Sequence, residues 1–113
     1  MAASAVAVLT LGLTATAAIA QYQPVQASGA PATAGGNAVG FAQLPVVSGE
    51  RVPATVLGTT IAIAGAAIAV GALVEVGTTV TKVVTKSAGV SIGRALTAAA
   101  ADGDMIEVML LPN

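Results

Sequence analysis

The chain of 113 residues contains neither cysteine nor histidine. The absence of cysteine excludes disulfide bonds and thiolate chemistry. The absence of histidine removes the commonest metal ligand and the commonest general base. Most routes to catalysis and to a metal site are therefore closed before any motif is considered.

Charged and aromatic residues are also scarce. Only 8% of residues are charged and the formal net charge is −1, so the chain lacks the basic surface that nucleic-acid binding requires. The aromatics are one Phe and one Tyr, and much of the 56% hydrophobic content is alanine, which buries little area. We expect a single domain over residues 1–113 with a thin core, no direct nucleic-acid partner, and stability gained from oligomerisation.

What the sequence has instead is an internal repeat, with one copy at residues 13–57 and the other at residues 60–111. Each copy should be one supersecondary unit that buries its apolar face against the other. The repeat predicts an all-β fold, a small compact β-barrel or sandwich-like domain built from two diverged copies of one β motif. Residues 1–12 are expected to form an extended N-terminal arm.

Three runs in the second half of the chain predict strands. Residues 78–86 are dense in β-branched side chains, which suit a pleated surface. Apolar residues alternate with small or polar ones over residues 90–96, and an apolar run closes the domain at residues 105–111. Only residues 96–101 favour a helix, and that segment is too short for more than about a turn.

Glycine-containing segments predict the turns. The pairs Ser48-Gly49 and Asp102-Gly103 each stand between apolar runs and predict a chain reversal, one in each copy. The Gly/Ala/Pro segment at residues 27–37 predicts an exposed loop, with too little bulk to pack a core.

Two alternatives concern the apolar segments. Residues 1–20 are apolar and end in an Ala-Ile-Ala pattern typical of a secretory cleavage site, but no Lys or Arg precedes Arg51. Residues 56–74 carry no charge and are long enough to cross a ~30 Å hydrocarbon core as a helix. Against a membrane span stand three glycines, a β-branched portion and the absence of a positively charged flank.

No motif carries recognisable chemistry. Asp102 and Asp104 lack the further oxygen ligands of a calcium loop, so a solvated turn is the better interpretation. The serines have no histidine partner, and no glycine cluster is followed by the Lys-Ser/Thr pair of a phosphate cradle. We assign no catalytic, cofactor-binding or metal-ligating residue. Two roles stay open for Arg94: pairing with Glu75 or Glu107 across a subunit contact, or a weakly paired surface cation.

The second copy resembles a known family. Its final segment runs VSIGRALTAAAADGDMIEVML over residues 90–110 and is similar to the closing motif of tailed-phage capsid decoration proteins, the capsid cement family. The earlier segment AAIAVGALV, residues 66–74, resembles a second motif of that family. The first copy follows both patterns more loosely, at residues 17–25 and 39–42.

The resemblance implies a structural virion protein rather than an enzyme. Family members sit on the outer surface of an assembled phage capsid, often as trimers, and bridge neighbouring major capsid subunits. The expected partners are therefore the major capsid protein and further copies of this chain, with no cofactor and no membrane. Residues 2–11 are the first candidate for an arm laid on the capsid, and residues 27–37 are the second. The alternative function is a small holin-like membrane protein with a span near residues 56–74.

Overall fold

The computed structural model describes residues 4–111, which form eight β-strands and no helix. The predicted all-β fold is therefore confirmed. The strands are β1 (Ala7–Thr14), β2 (Pro24–Val25), β3 (Gly40–Ala42), β4 (Arg51–Ile63), β5 (Leu73–Val76), β6 (Val83–Thr85), β7 (Gly93–Ala95) and β8 (Met105–Leu110).

The strands join in one antiparallel sheet that curls into half a barrel. Its order is β2-β3-β4-β8-β7-β5-β6, with β1 paired to β4 off this path. The 13-residue β4 connects the two parts of this sheet, because its first half pairs with β1 and β3 and its second half pairs with β8. Gly58 lies between the halves with a φ of 98°, and a Cβ there would clash with the carbonyl oxygen of Val6.

The same strand pairing occurs twice in the sheet. In the first half of the chain Pro24 lies opposite Phe41, and in the second half Leu73 lies opposite Arg94 in the same arrangement. Phe41 then lies opposite Thr55 of β4, as Arg94 lies opposite Met109 of β8. We call residues 7–57 the first unit and residues 58–110 the second unit. In this arrangement β1 corresponds to the second half of β4, and the first half of β4 corresponds to β8.

The predicted chain reversals are present as matching turns. Gly49 and Gly103 both have a φ of 91°, the left-handed conformation that suits the third position of a type II turn. The amide of Gly49 donates to the carbonyl of Ala15, and the amide of Gly103 donates to the carbonyl of Ala64, each over 2.8 Å. The two turns therefore tie the start of each closing strand to the end of the opening strand of its own unit.

Each unit has its own hydrophobic cluster, and the two clusters use corresponding positions. The first unit's cluster consists of Ala15, Ile19, Val25, Ala42, Val52 and Ala54. The second unit buries Ala64, Ile68, Val74, Ala95, Ile106 and Val108 at the corresponding places. The larger second cluster also takes in three residues of the first unit, Ala32, Ala38 and Phe41. The core of the second unit therefore continues into the contact between the two units.

Two local predictions were wrong in part. The segment at residues 27–37 is irregular, but it packs against the core, because the methyl group of Ala32 is small enough to be buried there. Of the strand predicted at residues 78–86, only Val83–Thr85 forms. The preceding residues must reverse the chain between β5 and β6, and the amide of Lys82 donates to the carbonyl of Thr79 in that turn.

Residues 56–74 are not helical. They run from the second half of β4 through turns into β5. Within residues 4–111, no helix has the length and hydropathy needed to span a membrane.

Candidate docking surface

Strand β1 is the most exposed element of the sheet. Seven of its eight residues are exposed, and only Leu13 is partly buried, against the first unit's cluster. Among the described strands β1 pairs only with β4, so its other edge has no strand beside it. One edge of this strand and most of its side chains are therefore available to another molecule.

The sequence of β1 gives that edge no protection. Soluble proteins usually guard exposed edges with lysine, proline or a short strand length. Strand β1 reads AVLTLGLT, with no charge and no proline over eight residues, although its register shifts at Leu9. A long, uncharged, apolar edge of this kind is typical of an interaction site.

The segment before β1 is held against the second unit. The amide of Val6 donates to the Thr59 hydroxyl over 2.7 Å, and that hydroxyl donates to a Glu107 carboxylate oxygen, also over 2.7 Å. The Ser4 hydroxyl donates to the other carboxylate oxygen of Glu107 over 3.3 Å. The chain therefore enters β1 across the surface of β4 and β8.

The structure describes part of the segment that was predicted to form an N-terminal arm. Residues 1–3 lie outside the described residues, and residues 4–6 are hydrogen-bonded to the second unit. Residues 7–12 lie in β1 and pair with β4, so they add a strand to the domain's own sheet. Deleting residues 2–11 would remove five of the eight residues of β1, so a single substitution is a sharper test of docking.

A second exposed surface lies on the second unit. Arg94, Leu96 and Met109 are exposed and follow one another on β7, its downstream end and β8. Within the chain the Arg94 guanidinium donates to the carbonyl of Gly71 over 2.7 Å, and its pairing with Glu75 or Glu107 across a subunit contact stays a prediction. In β8 the buried Val108 lies beside the exposed Met109, and this alternation is the sequence signal for the exposed face.

The acidic residues of the second unit have structural partners. Asp102 forms an ion pair with Lys82 over 2.7 Å, and the Asp104 carboxylate accepts from the amides of Ala100 and Ala101. Within residues 4–111 there is no group of three acidic, histidine or cysteine side chains that could hold a metal ion.

A surface depression with a volume of about 420 Å³ lies between the two units. Glu75 is its ionisable lining residue, and its carboxylate accepts from the backbone amides of Ser87 and Gly89. The Glu75 carboxylate therefore holds the loop after β6 through hydrogen bonds. With this carboxylate already hydrogen-bonded, the depression offers few polar groups to a ligand.

The fold and its exposed edge can now be set beside known proteins. A family model described as phage cement protein matches residues 3–110. This chain belongs to the phage cement protein family. The resemblance seen in the sequence is confirmed, and the cement family implies a capsid-associated structural role rather than catalysis.

A solved structure shares the fold of this chain. The crystal structure of the head fibre gp8.5 N base in bacteriophage phi29 has the same fold, with a TM-score of 0.72 and 18% sequence identity. The similarity covers 91% of this chain and 93% of the phi29 chain. Among curated proteins, no sequence matches this cement family member.

Proposed function

We propose that this protein binds the outer surface of an assembled phage capsid and stabilises the shell by bridging neighbouring major capsid subunits. The observation that carries the proposal is the unprotected edge of β1 in a member of the cement family. No enzymatic activity is proposed, because the family is one of structural proteins and the titratable groups described above serve turns and loops.

The free edge of β1 suits a contact through the backbone. The amide of Ala15 donates to the carbonyl of Glu50, next to the antiparallel pair of β1 and β4. Every second residue of β1 points its backbone groups the same way, so Leu13 and Leu11 also direct their amides and carbonyls toward β4. Alternation then directs the amide and carbonyl of Thr10 toward the free edge. An extended segment of the capsid protein can pair with these groups and lengthen the sheet.

The charge of the protein supports an outer rather than an inner position. A protein on the inner face would lie against packaged nucleic acid, where a basic surface is favoured. This chain has four basic and five acidic residues, with a net charge of −1. Nothing in this composition favours contact with nucleic acid.

The stabilisation would come from mass action. A protein that binds the assembled shell but not the free subunits lowers the free energy of the assembled state alone. Binding at 100 times the dissociation constant contributes about 2.7 kcal/mol per site, and a shell has many sites. Neighbouring capsid subunits joined in this way would separate less readily, because rupture also breaks the cement contacts.

The test compares two substitutions at one position of β1. Thr10→Pro removes an amide from the free edge without removing one from the ladder with β4, whereas Thr10→Val keeps every amide. Capsid shells of the cognate phage are mixed with each full-length variant and pelleted, and the bound fraction is titrated.

We expect Thr10→Pro to bind about tenfold more weakly than the wild type, since a net hydrogen bond contributes about 1 kcal/mol and the proline ring also obstructs the edge. Thr10→Val should bind like the wild type. Equal binding of the proline variant, with unfolding curves that show it folded, would remove the β1 edge from the proposal. Failure of the wild-type protein to bind any shell would overturn the function itself.

A further inference from the structure

Arg51 is the only basic side chain that has no partner within residues 4–111. Lys82 forms an ion pair with Asp102. Lys86 and Arg94 each donate to a backbone carbonyl oxygen. Arg51 is exposed, and its guanidinium makes no hydrogen bond or ion pair in the described part of the chain. The fold therefore does not use this charge, which is available to another molecule.

Arg51 lies at the start of β4, on the outer face of the first unit. We call the face of a unit that is turned away from its own hydrophobic cluster the outer face. Val52 and Ala54 belong to the cluster and are fully buried. Successive side chains of a strand point to opposite faces, so Arg51 points to the outer face. Arg51 lies opposite Thr14 of β1, and Gly12 is two residues away on the same face of that strand.

The Arg51 side chain extends across β1 at Gly12. A Cβ added to Gly12 would lie 3.4 Å from the Nε atom of Arg51 and 3.8 Å from its Cδ and Cζ atoms. The guanidinium therefore lies over the backbone of β1 rather than over its own strand. Since neighbouring strands lie about 4.8 Å apart, this brings the charge one strand closer to the free edge. A side chain longer than that of alanine at position 12 would compete for the space that Arg51 occupies.

Gly12 also presents its backbone groups to the free edge. Leu11 and Leu13 direct their amides and carbonyls toward β4, so alternation directs the amide and carbonyl of Gly12 away from β4. A strand that pairs antiparallel with this edge would have one residue directly opposite Gly12, with the two Cα atoms about 5.5 Å apart. Residues directly opposite each other share a face, so the side chain of that residue would lie on the outer face, beside the Arg51 guanidinium.

We propose that the capsid segment that pairs with β1 has an aspartate or glutamate opposite Gly12, and that Arg51 binds its carboxylate. The inference rests on the proposed function and names the chemistry of the partner at the same edge. A guanidinium fits a carboxylate because two of its N–H donors can form parallel hydrogen bonds to the two oxygens. No existing ion pair of Arg51 has to be broken to form this one.

An ion pair at this position would also fix the register of the contact. Strand β1 has no charged residue, and its backbone groups can pair in several registers. A slip of the partner strand by two residues keeps its side chains on the same faces but moves the carboxylate about 7 Å along the strand. Arg51 therefore selects both the partner segment and its register, which backbone pairing alone does not do.

The experiment measures the binding of full-length variants to capsid shells of the cognate phage, in about 0.1 M and about 1 M salt. Arg51→Gln removes the charge, and Lys86→Gln removes an equal charge from the exposed end of β6 as the matched control. We expect Arg51→Gln to bind about tenfold more weakly than the wild type in the lower salt, since hydrogen bonds to charged groups contribute more than neutral ones. This difference should narrow in the higher salt, because screening weakens the ion pair, and Lys86→Gln should bind like the wild type in both.

A second arm tests the carboxylate itself. Before the titration, shells are treated with a carbodiimide and a neutral amine, which convert accessible carboxylates to uncharged amides. On these shells the wild type should bind no more tightly than Arg51→Gln, because the group that distinguishes the two proteins has been neutralised. A wild type that keeps its advantage over Arg51→Gln on treated shells overturns the assignment of a carboxylate.

The outcomes separate this inference from the proposed function. Arg51→Gln should have the urea unfolding midpoint of the wild type, since the guanidinium has no partner in the chain, so weaker binding would not be a folding defect. Equal binding of Arg51→Gln and the wild type overturns the inference, as does an equal loss for Lys86→Gln, which would show a general effect of net charge. In either case a wild type that binds shells leaves the proposed function standing. A wild type that binds no shell overturns the proposed function and this inference with it.

Discussion

The first and second units share a backbone but treat their outer faces differently. At the same ladder position the first unit has Phe41, which is fully buried in the core of the second unit, and the second unit has Arg94, which is exposed. The six residues of the smaller cluster all have buried counterparts in the larger one. The shared core therefore maintains the fold of both units, while the outer face of each unit determines what that unit contacts.

The strongest test of this difference truncates the two corresponding residues. Phe41→Ala is expected to lower the free energy of unfolding by about 3–5 kcal/mol, because it leaves a cavity in the contact between the units. Arg94→Ala should lower it by less than about 1 kcal/mol, since the lost hydrogen bond to Gly71 is exposed. Urea denaturation of both variants, followed by circular dichroism, gives the two values.

Similar losses in the free energy of unfolding for the two variants would contradict this difference between the units, because they would mean that both outer faces contribute equally to folding. Phe41→Leu serves as a control for volume and should lose less than Phe41→Ala, because leucine fills part of the cavity.

A smaller effect is expected where one unit has glycine and the other a side chain. Gly71 has a φ of 85° and Tyr22, at the corresponding turn, has a φ of 65°. A Cβ added at Gly71 would meet nothing within 4 Å, so Gly71→Ala should cost only the left-handed backbone conformation, about 1 kcal/mol. Thermal unfolding measures this loss. Gly71→Asn should lose less, because asparagine adopts this conformation more readily, and an equal or greater loss would show that side-chain contacts, rather than the backbone, decide the turn.

The smallest expected difference concerns the acidic residue after each turn glycine. The Asp104 carboxylate accepts from two backbone amides, whereas the Glu50 carboxylate accepts from one, that of Val47 over 2.8 Å. Asp104→Ala should therefore cost about 1 kcal/mol and Glu50→Ala about half as much. Urea unfolding midpoints of the two variants check the order, with Asp104→Asn as the variant that keeps an acceptor oxygen. A larger loss for Glu50→Ala would contradict this account.

Local sequence patterns were sufficient where the backbone itself imposes the structure. The turns at Gly49 and Gly103 were predicted because a left-handed residue favours glycine, and the closing strand Met105–Leu110 was predicted from its apolar run. Local sequence patterns gave the wrong prediction where tertiary packing determined the local structure or the burial of a residue. The β-branched run before Val83 bends into a turn, since β5 and β6 must pair, and Ala32 is buried because a neighbouring unit covers it.

The candidate surface was predicted only in part. An apolar, uncharged N-terminal segment is visible in the sequence and was expected to contact another molecule. Its pairing with β4 was not foreseeable, because antiparallel partners far apart in the chain leave no local signal. The exposed surface of Arg94, Leu96 and Met109 was missed for a related reason, because the packing of the two units decides which face stays in solvent.

By itself the sequence determined the all-β class, the turns and the family, because each depends on residue types at short spacing or on similarity along the chain. Tertiary structure alone decided which of two equivalent faces became core and which stayed outside. Both units have the alternation of a strand that buries one face, and the packing of the second unit on the first selects Phe41 for burial and leaves Arg94 in solvent. The asymmetry arises because a linear chain of two units joins them once and leaves one face uncovered at each end.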